Sequence, residues 1–188
     1  PFHTYVYLLG TLSIVISLPT QAYTTTSDWL PLFITLLITV ASASSLATIY
    51  NRIFETITAS LLFIWAFQLG LQLLETPAYT QALAYVLLAS LVYTPIALYL
   101  HKHEKSRAAY HHIPVFMVGY ALAAYAVITS IVLRDTPTFT PWIGVTVPLI
   151  ATALLIFSAS YFKSAKYSSL WAWAGTLTFT IAFGQSLT

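Results

Sequence analysis

WLPLFITLLITVASASSLAT, residues 29–48, runs without one charged side chain. A bilayer's hydrocarbon core is about 30 Å thick, and a helix crosses it with about 20 mostly apolar residues. The stretch has that length and character, so it reads as a membrane-spanning helix. Working outward, the same reading applies to Thr4–Pro19, Ile57–Leu74, Ala82–Leu100, Pro114–Leu133, Trp142–Phe162 and Leu170–Leu187. The sequence therefore predicts an all-α fold: one polytopic integral membrane bundle of about seven transmembrane helices over residues 1–188. Thr4–Pro19 is the shortest stretch. It has a second reading as a signal peptide, with Thr20-Gln21-Ala22 as the cleavage site. The lack of Lys or Arg ahead of it favours a span.

Composition points the same way. Charged residues are 6% of the chain and hydrophobic ones 59%, with a mean hydropathy of +0.81. An ordinary soluble domain has about 25% charged residues. The net charge is +2, and no basic run offers a nucleic-acid surface. Cysteine is absent, which removes disulfides, thiolate chemistry and Cys-ligated metals.

All but one of the seven Lys and Arg residues lie in alternate loops. Arg52 follows the second stretch. Lys102, Lys105 and Arg107 follow the fourth, and Lys163 and Lys166 follow the sixth. The other gaps carry Asp28, Glu75 and the pair Arg134 and Asp135. Cations gather on the cytoplasmic side, so this pattern places the N-terminus inside and the C-terminus outside. Trp29 and Trp142 open stretches on the outer side, and Trp171 and Trp173 open one on the inner side, as interfacial anchors do. Pro95 and Pro148 fall inside stretches, where each removes an i to i−4 hydrogen bond and is expected to kink its helix.

Seven spans invite a test for a three-plus-one-plus-three repeat. Ser42-Ala43-Ser44 recurs as Ser158-Ala159-Ser160. At that same spacing Leu61, Phe63, Ala66 and Phe67 meet Leu177, Phe179, Ala182 and Phe183. A one-residue shift aligns Pro31-Leu32 with Pro148-Leu149, and Gln68 with Gln185. Val6 to Gly10 echoes Val115 to Gly119. The repeats would be 4–75 and 114–188, with 82–100 as the inverting linker helix. Partners would then run the same way through the bilayer, as parallel repeats do. In plan this resembles the sugar-efflux and PQ-loop transporter group, although no Pro-Gln motif is present and the orientation is opposite.

No Asp, Glu, Lys, Arg or His lies deep in a stretch. Intramembrane ionisable groups mark proton relays, ion paths and buried acid/base catalysis, so those functions are disfavoured and no cofactor is implied. The last stretch holds no lysine for a retinal Schiff base. The polar groups left are neutral. Trp65, Gln68 and Gln72 share one helix face by their i, i+3 and i+4 spacing. With Tyr120, Tyr125 and Gln185 they form the candidate pathway for an uncharged solute. The competing reading is interhelical glue, worth about 0.6 kcal/mol per hydrogen bond.

The histidines His3, His101, His103, His111 and His112 all fall on the inner side. His101, Lys102, His103, Lys105, Arg107, Lys163 and Lys166 read as lipid head-group contacts. Imidazole is a common metal ligand, but this spacing matches no metal signature, so no metal is expected.

Two further resemblances bear on function. Ala84 to Tyr99 and Leu154 to Ser158 resemble helices of the lysoplasmalogenase-like membrane family, and Gln185 falls near a position where that family has Gln. That family works through intramembrane aspartates, and Ser-Ala-Ser stands here where an Asp is wanted. The resemblance thus implies a chain without those catalytic acids. Seven spans with an inside N-terminus are also similar in plan to subunit III of haem-copper oxidases, an accessory subunit. The functional expectations follow in order. The first is a carrier or channel for a neutral small solute or lipid. The second is a non-catalytic structural or accessory subunit of a larger membrane complex, such as a respiratory one. A lipid-modifying enzyme comes a distant third. The partners are membrane lipids and other membrane subunits, with no nucleic acid.

Overall fold

The computed structural model describes residues 29–50, 53–103, 111–135, 140–161 and 165–186. Among them the chain is helical and has no strand. The helices are α1 (Trp29–Tyr50), α2 (Ile53–Leu73), α3 (Ala78–His103), α4 (His112–Val132), α5 (Pro141–Tyr161) and α6 (Ala165–Ser186). Five of these, α1 to α5, are long and apolar enough to cross a membrane. α6 has the length but not the apolarity, because Lys166, Ser168, Ser169, three threonines and Gln185 dilute it. The expected span Thr4–Pro19 lies outside the described residues. Among the described residues there are six long helices, of which five meet the demands of a bilayer. These helices fit a multi-pass membrane protein in contact with lipid.

The expected boundaries are short by a few residues, mostly at helix starts. α2 begins at Ile53 rather than Ile57 and carries Glu55 in its first turn, where a carboxylate meets the positive end of the helix dipole. α2 ends in a Schellman turn. The Thr76 N–H reaches the Leu71 carbonyl at 2.9 Å and the Glu75 N–H reaches Gln72 at 2.9 Å. Glu75 takes the left-handed conformation, φ 51°, that this turn requires. Pro77 then starts α3 directly, since it cannot extend the helix before it.

The two interior prolines are handled differently. In an uninterrupted helix the Pro95 ring would collide with the Leu91 carbonyl. Instead the backbone widens into a π turn at Ala89–Tyr93, just ahead of the ring. The Thr94 N–H and its hydroxyl, at 2.9 Å, both close on the Ala89 carbonyl. Pro148 lies buried inside α5, and the Thr152 hydroxyl donates to its carbonyl at 2.8 Å.

The described helices fall into two compact units. The first takes in α1, α2, the last turns of α3 and the first turn of α4. The second takes in the rest of α3 and α4 with α5 and α6. In the first, α1 packs on α2 through Leu32, Leu36, Ala66 and Leu69, with Trp29, Phe33, Leu62 and Trp65 around them. In the second, α5 packs on α6 and on the first half of α3. Small residues such as Ala66, Ala82, Ala89, Ala126 and Ala182 are buried, which lets helix backbones approach closely without a water-driven core. Large apolar side chains such as Phe54, Leu91, Met117 and Trp173 point outward. Serines and threonines on the outer faces donate to their own backbone four residues back, as Thr35 does to Pro31 and Thr48 to Ser44. An apolar solvent offers a hydroxyl no partner, so it turns to its own helix.

Candidate functional site

The most connected polar group in the second unit is Tyr120 on α4. Its hydroxyl donates to Ser158 Oγ at 2.6 Å, and Ser158 donates in turn to the Leu154 carbonyl at 2.7 Å. Ser158 is completely buried. The Tyr120 ring packs against Trp171 of α6, with centroids 4.3 Å apart, and stacks on Phe116 one turn earlier. Three helices therefore meet at one phenol. A second tie joins α5 to α6, where Thr152 and Thr178 hydroxyls lie 2.7 Å apart. Each hydroxyl also faces a carbonyl of its own helix, Thr152 that of Pro148 at 2.8 Å and Thr178 that of Gly175 at 3.0 Å, so either can be the donor between them. Above it Gly175 sits against Leu155 and Ile156, and a Cβ there would meet the Ile156 side chain at 3.4 Å.

The other candidate pathway residues are spread over both units. Gln185 is buried in the second unit. Tyr125 is exposed and meets buried Tyr85 edge-on, centroids 5.3 Å apart. In the first unit Trp65 packs beside the Leu32 and Leu69 cluster, and Gln68 and Gln72 are half-buried on the same helix. The structure thus joins Tyr120 to Ser158 and Trp171. It does not bring Tyr125 to that node.

Sequence reasoning picked Tyr120 but missed Ser158 as its partner, and missed the separate tie between Thr152 and Thr178. The Ser-Ala-Ser signal was visible, but as a repeat marker. Trp171, expected as an interfacial anchor, is half-buried against Tyr120, whereas Trp173 is 76% exposed. A serine followed thirteen residues later by a tryptophan gives no local sign that both will meet one tyrosine.

Among the described histidines, His101 and His103 are exposed at the end of α3 with Lys102, while His111 and His112 are buried at the start of α4. The His101 and His112 rings pack at a tilt of 57° with centroids 4.7 Å apart, and His103 packs tilted on Tyr99 at 4.2 Å while its Nδ1 meets the Tyr99 carbonyl at 2.8 Å. His111 Nδ1 shares a 2.5 Å hydrogen bond with the Thr56 hydroxyl of α2. Among the described residues no three His, Asp or Glu side chains gather as metal ligands. Lys105, Arg107 and Lys163 lie outside the described residues, and Lys166 falls in the first turn of α6. No protein family, curated protein or solved structure matches this chain.

Proposed function

We propose that this chain is a non-catalytic structural subunit of a membrane assembly. One observation supports the reading best. The polar side chains that join helices in the second unit are used up in ties between them, Tyr120 with Ser158 and Thr152 with Thr178. Around those ties the chain presents large apolar side chains outward, suited to lipid or to the apolar flank of another subunit. Such a chain contributes shape and apolar area rather than a reacting group.

The test is its native mass after gentle extraction. The expected result is co-migration with other subunits at fixed stoichiometry, preserved through two orthogonal separations. Purification as a stable, monodisperse monomer at native abundance would sink the proposal.

A second reading, a carrier for a neutral solute, is favoured by Gln68 and Gln72. Both amides are half-buried on one face of a membrane helix, beside Trp65. Proteoliposomes holding the purified chain would then take up small polyols or amides, and Gln68→Leu with Gln72→Leu would abolish the uptake. Uptake no faster than in empty liposomes would dispose of this reading.

A further inference from the structure

Two histidines eleven residues apart along the chain meet at one end of the first unit. His101 lies in the last turn of α3 and His112 opens α4. Their ring centroids are 4.7 Å apart and their planes are tilted by 57°. His112 is buried and His101 is exposed. Aromatic attraction favours offset parallel stacks or edge-to-face contacts, and this tilt is neither. The pair comes from two helix ends that meet in space, so the spacing along the chain, which matches no metal signature, does not reveal it.

The other two described histidines are engaged elsewhere. His103 packs on Tyr99, and its Nδ1 meets the Tyr99 carbonyl at 2.8 Å. His111 is buried, and its Nδ1 shares a hydrogen bond with the Thr56 hydroxyl of α2. That bond ties the start of α4 to α2 and so fixes where His112 stands. Among the described residues no third His, Asp or Glu completes a ligand set with the pair. The two helix ends have opposite polarity, the close of α3 favouring a cation and the opening of α4 opposing one. The dipoles therefore neither make nor break a site between them.

We propose that His101 and His112 form a two-imidazole site for a divalent ion of the copper and zinc class, which clamps the end of α3 to the start of α4. Imidazole nitrogen suits these ions, and a chain without cysteine offers no thiolate to compete. With metal–nitrogen bonds of about 2.0–2.1 Å, two imidazoles on one tetrahedral ion have centroids about 5.2 Å apart. The rings stand 4.7 Å apart, about 0.5 Å closer than that. Exposed His101 can make up the difference by a small side-chain rotation while His112 stays packed. Water fills the other coordination positions, which makes the site weaker than a structural zinc site with four protein ligands. The inference stands apart from the structural role proposed above.

The test uses the full chain, free of affinity tags, in lipid nanodiscs. His3→Ala serves as the background, so that His101, His103, His111 and His112 are the only histidines. Titration with zinc alone is expected to saturate at one ion per chain in the micromolar range. His101→Ala should weaken that binding about tenfold or more, since even a group that only orients a metal ligand is worth that much. His103→Ala should leave it unchanged. His101 is exposed, so its removal spares the packed interior. A second measurement reads the ligands directly. Loaded with copper, the background chain should show pulsed EPR modulation from two coordinated imidazoles, and the His101→Ala chain should lose that two-imidazole signal. Zinc binding that ignores His101→Ala, or that falls equally with His103→Ala, overturns the proposal. So does the lack of saturable binding up to millimolar zinc, or a copper signal from a single imidazole in the background chain.

Discussion

Removing either end of the Tyr120–Ser158 bond should not cost the same. The geometry sets the sign of the difference. Tyr120 donates its only proton to Ser158 at 2.6 Å, while Ser158 donates its own to the Leu154 carbonyl at 2.7 Å. Tyr120→Phe keeps the ring against Trp171 and Phe116 and leaves Ser158 still bonded to its own helix. The loss is one hydrogen bond, about 0.6 kcal/mol on average between membrane helices and at most about 1.7. Ser158→Ala is different. It leaves the phenol hydroxyl beside a buried methyl group, with its acceptor gone, at about 1–3 kcal/mol. The double variant should resemble Tyr120→Phe more than the sum, giving a coupling of about 1 kcal/mol. Unfolding in mixed detergent–lipid bicelles, followed by tryptophan fluorescence that reports Trp171, measures all three variants. If Tyr120→Phe proves as costly as Ser158→Ala, or if the coupling is within error of zero, the direction of donation argued here is wrong.

Three other expectations concern the helix architecture. Glu75→Gly should stabilise the chain by about 1 kcal/mol in the same unfolding assay, because glycine occupies the left-handed position of the Schellman turn without a Cβ penalty. Gly119→Ala should destabilise by about 1–2 kcal/mol, since its Cβ would stand 3.1 Å from the Tyr93 Cβ at the π turn, an atom fixed to the backbone rather than the end of a flexible side chain. Thr56→Val should cost about 1–2 kcal/mol by depriving buried His111 of its 2.5 Å partner, and nitrogen chemical shifts of the His111 ring should move while those of His103 stay put.

Much of the architecture was legible because the bilayer imposes a simple length rule. Residues 29–48 already say helix, and α1 runs over Trp29–Tyr50. Pro95 announced a disturbed helix, but not that the disturbance would be a π turn closed by Thr94. At that turn Gly119 of the neighbouring helix lies close to Tyr93, whose Cβ a side chain at Gly119 would meet at 3.1 Å. The start of α2 was missed because Ile53, Phe54 and Glu55 mix apolar and charged residues, and the length rule counts only apolar ones. α6 falls short of the apolarity of a span because its hydroxyls and Gln185 dilute it, and of these Gln185 is buried while Thr176 and Thr180 are exposed.

The site was less legible. Tyr120 could be singled out as a polar group in an apolar stretch. Its partners could not, because Ser158 and Trp171 come from two other helices and their meeting depends on how those helices rotate about their axes. Gln68, Gln72 and Trp65 lie on one helix, α2, where helical spacing alone relates them, since that relation is local.

What the sequence determined by itself is the solvent, the helices and the scarcity of chemistry inside them. A chain with 6% charged residues and long uncharged runs has few alternatives to crossing a membrane as helices, because every backbone amide in lipid must be satisfied within its own segment. Only the tertiary structure decided which hydroxyls act between helices and which turn back on their own backbone. Ser42 and Ser158 make the same local bond, yet Ser158 alone is shown receiving a second one. That difference is set by whether a neighbouring helix arrives with a donor, and no local pattern along the chain encodes it.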